Sequence, residues 1–377
     1  MPSLWGSDVV SLFTELAAIP SPPGEELPVA ERVARELRDL GLDVAVDDAG
    51  PRIGSNTGNL FTRLEPTAAD GGTPIFFCAH LDTVQPTGPI EPVVEDGVVR
   101  NAAGTILGAD NKAAVAVMLE AVRRIVTERR AYAGVELVFT AKEETGCEGA
   151  GAFDVSCLRA QLGFVYDHAA PIGAVVVAAP HQRKIEVVYH GRAAHAGINP
   201  EDGRSAIYAA ARAIADLRLG RLDEETTANV GTIVGGTARN VVPDRCAFAV
   251  DARSRDERKL LALVEEMLET FAFAAAVCDC EVETQVEELY HGYRFGGDES
   301  AVRLAFAALE RAGFAPHAVE VGGGADANIF NAFGLSCVVL ANGMAHIHSP
   351  EEEIAVADLE AMVEVTLGLV DAANDAA

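Results

Sequence analysis

Apolar positions recur along this chain in two rhythms. Runs at 42–46, 59–64, 75–79, 135–141 and 162–166 are short, rich in apolar residues and bounded by turn formers, which predicts strands. Between them the spacing is helical. One helix follows Ser7 or Asp8. Another opens near Glu25, after the breaker run Pro20-Ser21-Pro22-Pro23-Gly24, and closes near Gly41; a third spans 112–127. Strands alternating with helices predict an α/β architecture with a largely parallel sheet. The same alternation resumes after Leu289, with a helix at 300–312, a strand at 338–341 and a closing helix at 357–372.

The middle of the chain reads differently. A strand of alternating character at 184–190 is followed by a helix at 205–217, with apolar spacing at Ile207, Ala211, Ile214 and Leu217. Strands at 230–234 and 246–251, a helix at 257–273 and a strand at 280–286 complete a β-α-β-β-α-β order, the order of a ferredoxin-like unit. The expectation is one α/β domain, 1–180 with 289–377, interrupted by a smaller α+β domain at 181–288.

Composition narrows the function. The 377 residues amount to two or three domains of about 150 residues. A chain 49% hydrophobic and 23% charged is globular rather than disordered. The net charge of −28 argues against a nucleic acid or an anionic membrane surface as partner. It is compatible with a cation, although a solvated acidic surface has the same sign. Met1 to Ala18 lack the basic start of a signal peptide, and no run of about 20 apolar residues predicts a membrane span. Seven scattered cysteines, with Cys278 and Cys280 one residue apart, fit free thiols in the cytoplasm better than a disulfide framework.

Five places set metal-compatible side chains at or beyond strand ends, where α/β sheets gather their ligands. His80 and Asp82 share a side of extended chain, so one ring nitrogen can meet a metal while the carboxylate orients the other. Asp110, in Gly108-Ala109-Asp110-Asn111-Lys112, could bridge two cations, or could merely cap the helix that follows. Glu143 and Glu144 end an apolar strand and point to opposite sides, so one can ligate while the other faces a water. Asp167 ends another strand, and His346-Ile347-His348 follows a third. Each alone is equally a solvated polar residue. Together they form a nitrogen and oxygen set suited to Zn²⁺, Co²⁺ or Mn²⁺. In the inserted domain, His195 lies in a loop of small residues, Asn240 in a Gly-rich turn, and Arg253 beyond a strand. Each could touch a substrate. Each could also be ordinary surface, Arg253 through an ion pair with Asp251 or Asp256. Gly322-Gly323-Gly324-Ala325-Asp326 is Gly-rich but lacks the GK[ST] of a P-loop, and no G-x-G-x-x-G follows an early strand, which disfavours hydride transfer.

In order, His80-Leu81-Asp82, Gly108 to Lys112, Glu143-Glu144, Asp167 and His348-Ser349 resemble the motifs of the dinuclear zinc peptidase and deacylase superfamily. That superfamily includes peptidase T, glutamate carboxypeptidase, aminoacylase and succinyl-diaminopimelate desuccinylase. Thr105 to Lys112, Ala194 to Glu201 and Gly322 to Asn328 place the resemblance nearest the peptidase T-like branch. It implies an α/β/α catalytic domain and a lid domain that can pair two chains. It implies two divalent ions, zinc or else cobalt or manganese. His80 and Asp167 would hold one, Glu144 and His348 the other, with Asp110 between. Asp82 would orient His80, and Glu143 would be the general base. His195 would stabilise the oxyanion, across the dimer interface where two chains pair, while Asn240 and Arg253 would hold substrate. The Asp110–Asn111 peptide would be cis. Asn111, often Asp in relatives, and Ala114, often Gly, depart from the pattern. The implied activity is hydrolysis of short peptides in the manner of a tripeptide aminopeptidase. N-acyl amino acid deacylation or carboxypeptidase action on the same site is the alternative, and a non-enzymatic binding protein is disfavoured because every ligand and the base are present.

Overall fold

The computed structural model describes residues 8–68 and 71–376, which fall into two compact units. The larger comprises Met1–Val177, Arg294–Glu320 and Ala325–Ala377; the smaller comprises Ala178–Tyr293 and Val321–Gly324.

In the larger unit, strands Val135–Thr140, Ile75–His80, Leu162–His168 and Ser336–Ala341 lie side by side and parallel. Leu60–Leu64 and Ala174–Ala179 flank them antiparallel, so the sheet is mixed with a parallel centre. Every residue of Ile75–His80 and Val135–Thr140 is buried, and a strand buried on both faces needs cover on both. Successive side chains supply it by pointing opposite ways. Phe77 packs against Phe164 and Tyr166, with ring centroids 5.9 Å away in each case, in the core shared with helices Val9–Ala17, Ala109–Glu128 and Val356–Asp375. Its neighbour Phe76 meets Phe330 of helix Asp326–Ala332 edge-on at 5.1 Å. Such a pair contributes about 0.5–1.5 kcal/mol beyond its buried area. The result is the α/β/α layering that the strand and helix rhythm predicts.

Within Ala109–Glu128, Asp110 and Asn111 have non-helical φ/ψ, so the regular helix begins at 112 as expected, and Gly108, at a left-handed φ of +78°, turns the chain toward it. A small sheet of Pro92–Glu95, Val98–Asn101 and Glu353–Ala355 was not foreseen. Its signal was present: Asp96 and Gly97, both at positive φ, form the two-residue turn between paired Glu95 and Val98.

The smaller unit is an antiparallel sheet in the order Thr226–Gly235, Arg245–Ser254, His181–His190, Glu281–Tyr290, with Gly220–Arg221 at one edge. Helices Ala206–Asp216 and Glu257–Cys278 bury Ala209, Ala213, Leu260 and Phe271 in one core with Ile185, Val187, Phe248 and Val250. Ser205 caps the first helix through Tyr208 N–H, and Asp256 caps the second through Arg258 N–H. This is the ferredoxin-like order. The strand expected at 230–234 reaches back to Thr226, since Thr226, Thr227 and Asn229 pair in the ladder without an apolar signature. Among the described residues, no helix is long and apolar enough to cross a membrane.

Candidate metal centre and active site

The parallel ladder assembles the site. Cys78 pairs with Val165, so His80 and Asp167, each two residues on, finish their strands side by side. His80 also pairs with Thr140, and the turn after Thr140 carries Glu143 and Glu144. Asp110 stands just before the regular helix, and its carboxylate oxygens meet His80 and His348 rather than a backbone N–H of that helix. The capping alternative for Asp110 therefore fails. The Asp110–Asn111 peptide is cis.

The side chains converge on Asp110. Its Oδ1 is 3.1 Å from His80 Nε2, and its Oδ2 is 3.2 Å from His348 Nε2. Asp167 Oδ1 lies 3.8 Å from the same nitrogen of His80, and Glu144 Oε1 lies 3.0 Å from that of His348. Two groups result, His80–Asp110–Asp167 and Asp110–Glu144–His348, each with its donor atoms within 4.8 Å of one another and with Asp110 common to both. Asp82 faces the other nitrogen of His80 twice over: its backbone carbonyl is 2.9 Å from Nδ1 and its Oδ1 is 3.4 Å away.

Crowded carboxylates shape the electrostatics. Burial, and then the charge of Asp110, push Asp167 up to about 7. Burial and the charges of Asp167, Asp326 and Glu144 hold Glu143 well above the usual carboxylate range, against the pull of His80. Burial disfavours the imidazolium of His80, but hydrogen bonds to Asp110, Asp167 and Asp82 outweigh it and raise this histidine. Asp110 and Glu144 lift His348 to about 10. Protons are thus standing in for positive charge. One imidazole and two carboxylates in each group form the nitrogen and oxygen donor set that a divalent ion such as zinc takes, and such an ion would relieve the same repulsion. The residues fit two cations.

Around these groups sits a supporting layer that the sequence reading reached only at Asp82. Asp82 accepts the backbone N–H of Glu143 at 2.9 Å and of Glu144 at 3.0 Å, so it fixes the turn as well as facing His80. Buried Glu26 accepts from Lys142 N at 3.1 Å, Gly24 N at 2.8 Å and Ser55 Oγ at 2.6 Å. Buried Glu352 accepts the N–H groups of Leu107, Gly108 and Asp110 at 2.8–2.9 Å. Asp326, from the Gly-rich stretch before helix Asp326–Ala332, is buried and accepts from Thr140 Oγ1 at 2.5 Å. Lys112 is fully buried, its ammonium donating to Ile19 O, and burial pulls it down to about 7 against the charges of Glu352 and Asp82. Lys142 and His348 hold left-handed φ values of +53° and +61°, each costing a non-glycine residue about 1–2 kcal/mol. Nothing in the residue types alone reveals such contacts.

The remaining candidates belong to the smaller unit. His195 bridges to Val241 and Ala196 N donates to Asn240 O, so the His195 loop and the Asn240 turn are neighbours. His195 Nδ1 accepts Gly197 N–H at 3.1 Å. Arg253 lies within strand Arg245–Ser254 rather than beyond it, and its Nε and Nη2 meet the two oxygens of Asp251 at 2.8 and 3.1 Å. That is the ion pair weighed against substrate binding.

Comparison with known proteins agrees with this geometry. Residues 59–167 match the family model of peptidase family M28, and residues 183–276 match that of a peptidase dimerisation domain. An uncharacterized protein of Bacillus subtilis (strain 168), YqjE, is 37% identical over 361 residues, spanning 96% of this chain and 97% of its own. The crystal structure of aminopeptidase PepT from Bacillus cereus ATCC 10987 is 37% identical with a TM-score of 0.86, covering 97% of this chain and 98% of that one. That of a tripeptidase from Staphylococcus aureus subsp. aureus Mu50 is 32% identical with a TM-score of 0.91, again covering 97% and 98%. Fold, donor set and relatives together define a metallopeptidase hydrolase. The chain belongs to the dinuclear metallopeptidase superfamily and has peptidase T-like relatives.

Proposed function

We propose that this metallopeptidase removes residues from the amino end of short peptides, tripeptides foremost. The observation that carries the reading is Asp110 shared between His80 and His348, with Glu143 alongside and outside both donor groups. The two structural relatives, an aminopeptidase and a tripeptidase, support the substrate class.

In this reading His80 and Asp167 hold one divalent ion, Glu144 and His348 the other, and Asp110 both. Zinc is favoured, with cobalt or manganese as substitutes. Divalent ions bound to these residues would acidify a bound water and polarise the scissile carbonyl. Glu143 takes the proton of the attacking water and returns it to the departing amine. Asp82 holds His80 by one face and the Glu143–Glu144 turn by the other, which keeps base and ligands in one frame.

His195, Asn240 and Arg253 are assigned to substrate. Because His195 Nδ1 accepts a backbone N–H, its proton sits on Nε2, which makes that nitrogen a donor suited to an oxyanion. Arg253, paired with Asp251 and donating from Nη1 to Tyr290 Oη at 3.4 Å, would take a substrate carboxylate by exchanging part of that pairing. A homodimer through the smaller unit completes the reading, supported by the match to a peptidase dimerisation domain and by exposed Ile207, Tyr208, Ile233 and Val234. The seven free thiols suit a cytoplasmic setting.

The test compares a tripeptide with a free amino terminus, its N-acetylated form, and a peptide read from its carboxyl end. Rapid cleavage of the first alone supports the proposal. Preference for the acetylated form assigns the site to deacylation instead.

A further inference from the structure

We propose that His181, Glu257 and His291 form a further binding site for a transition-metal cation, built wholly from the smaller unit. Ligand atoms of the three side chains lie within 4.8 Å of one another.

Three elements deliver them. His181 opens strand His181–His190, Glu257 is the first residue of helix Glu257–Cys278, and His291 follows strand Glu281–Tyr290. The two strands pair with Gln182 opposite Tyr290, so the ladder brings the histidines together. Their ring centroids are 5.9 Å apart and the rings are nearly perpendicular, at 84°. Gly292 is needed for that approach. A Cβ there would stand 2.7 Å from His181 Cδ2 and 2.7 Å from Ala179 O.

Two further observations point to a ligand. His181 Nδ1 is buried and meets no hydrogen-bond partner, which costs free energy unless something outside the chain satisfies it. Glu288 Oε1 lies 2.5 Å from His291 Nε2, a carboxylate partner of the kind that orients a metal-binding imidazole.

The charges leave room for a cation. Glu257 and Glu288 bring two negative charges, and Arg183, which pairs with Glu288 and comes within 3.9 Å of Glu257, brings one positive, for a net of −2 + 1 = −1 with neutral imidazoles. Burial keeps His181 below the usual histidine range, with Glu257 and Glu288 opposing and His291 and Arg183 reinforcing, so the ring is neutral and able to ligate near pH 7. Two imidazoles and a carboxylate select zinc, nickel or copper over calcium or magnesium.

The experiment is equilibrium dialysis of the full-length protein against buffered low-micromolar free zinc, with bound metal counted by elemental analysis. His181→Gln and His291→Gln should each bind one zinc per chain fewer than the unmutated protein. The same one-ion difference should persist when either change is made in an Asp110→Asn background, which separates this site from the cluster around Asp110. Circular dichroism checks folding, and His291, being exposed, provides the variant that does not disturb the core. Equal zinc content in both single variants and the unmutated protein overturns the proposal.

Discussion

Glu352 Oε1 accepts the backbone N–H of Asp110 at 2.9 Å, across 242 positions of sequence. Its other oxygen takes the N–H groups of Leu107 and Gly108. Glu352→Ala strands these buried donors, and each costs about 1–3 kcal/mol when unsatisfied. The variant should lose on the order of 3 kcal/mol in a denaturant titration and retain metal more weakly. Unchanged stability and metal content would refute this anchoring role.

Asp82→Asn leaves one acceptor oxygen where two are used, and its amide group faces either a backbone N–H or His80. Loss of a group that orients a metal-binding histidine typically lowers metal affinity or activity about 10–100-fold. A steady-state comparison at saturating zinc, beside a zinc titration, separates the two effects. Kinetics and affinity matching the unmutated protein would exclude Asp82 from either task.

Glu143→Gln removes the proposed base without touching the two donor groups. Activity should fall about 10²–10⁴-fold, the contribution of general base catalysis. Metal content should stay the same. Substantial residual hydrolysis would move the base assignment elsewhere.

Asp167 offers a pH test in metal-free protein. Its carboxyl binds a proton more tightly folded, at about 7, than unfolded, at about 4, so its ionisation opposes folding. The penalty is absent below pH 4 and complete above pH 7. Melting temperatures of metal-free Asp167→Asn and unmutated protein should therefore diverge through that window, the variant gaining. A gap independent of pH would contradict the crowding of charge described above. Zinc should reverse the order, because the variant loses a ligand.

Ile233→Lys with Val234→Lys places charge on exposed apolar positions of the smaller unit. Sedimentation velocity should show a dimer converting to monomer. A species of the same mass before and after would place any dimer contact on another surface.

Much of this molecule is legible in the residues. Apolar runs ending in His80 and Asp167, and a run leading to Glu143 and Glu144, mark parallel strands and the rim where their side chains meet. What escaped notice has physical reasons. Thr226 to Asn229 form strand through backbone pairing, which needs no apolar side chain. Glu352 and Glu26 are buried because backbone N–H groups surround them, a fact of tertiary neighbours rather than of composition. The Asp96-Gly97 hairpin joins strands of only four residues each, too short for an apolar rhythm to mark them. Arg253 shows the opposite limit: its pairing with Asp251, two residues away on one strand, was open from sequence, yet only coordinates choose between that and a free guanidinium.

The tie between Glu352 and the loop at 107–110 also bears on biosynthesis. A ribosome delivers His80, Asp110, Glu144 and Asp167 long before His348 and Glu352 emerge. Until then the nascent chain carries an acidic, half-assembled cradle whose loop has no clamp. The group Asp110–Glu144–His348 can therefore close only near the end of translation, and a protein truncated before residue 348 should lack the second of the two donor groups while keeping His80, Asp110 and Asp167.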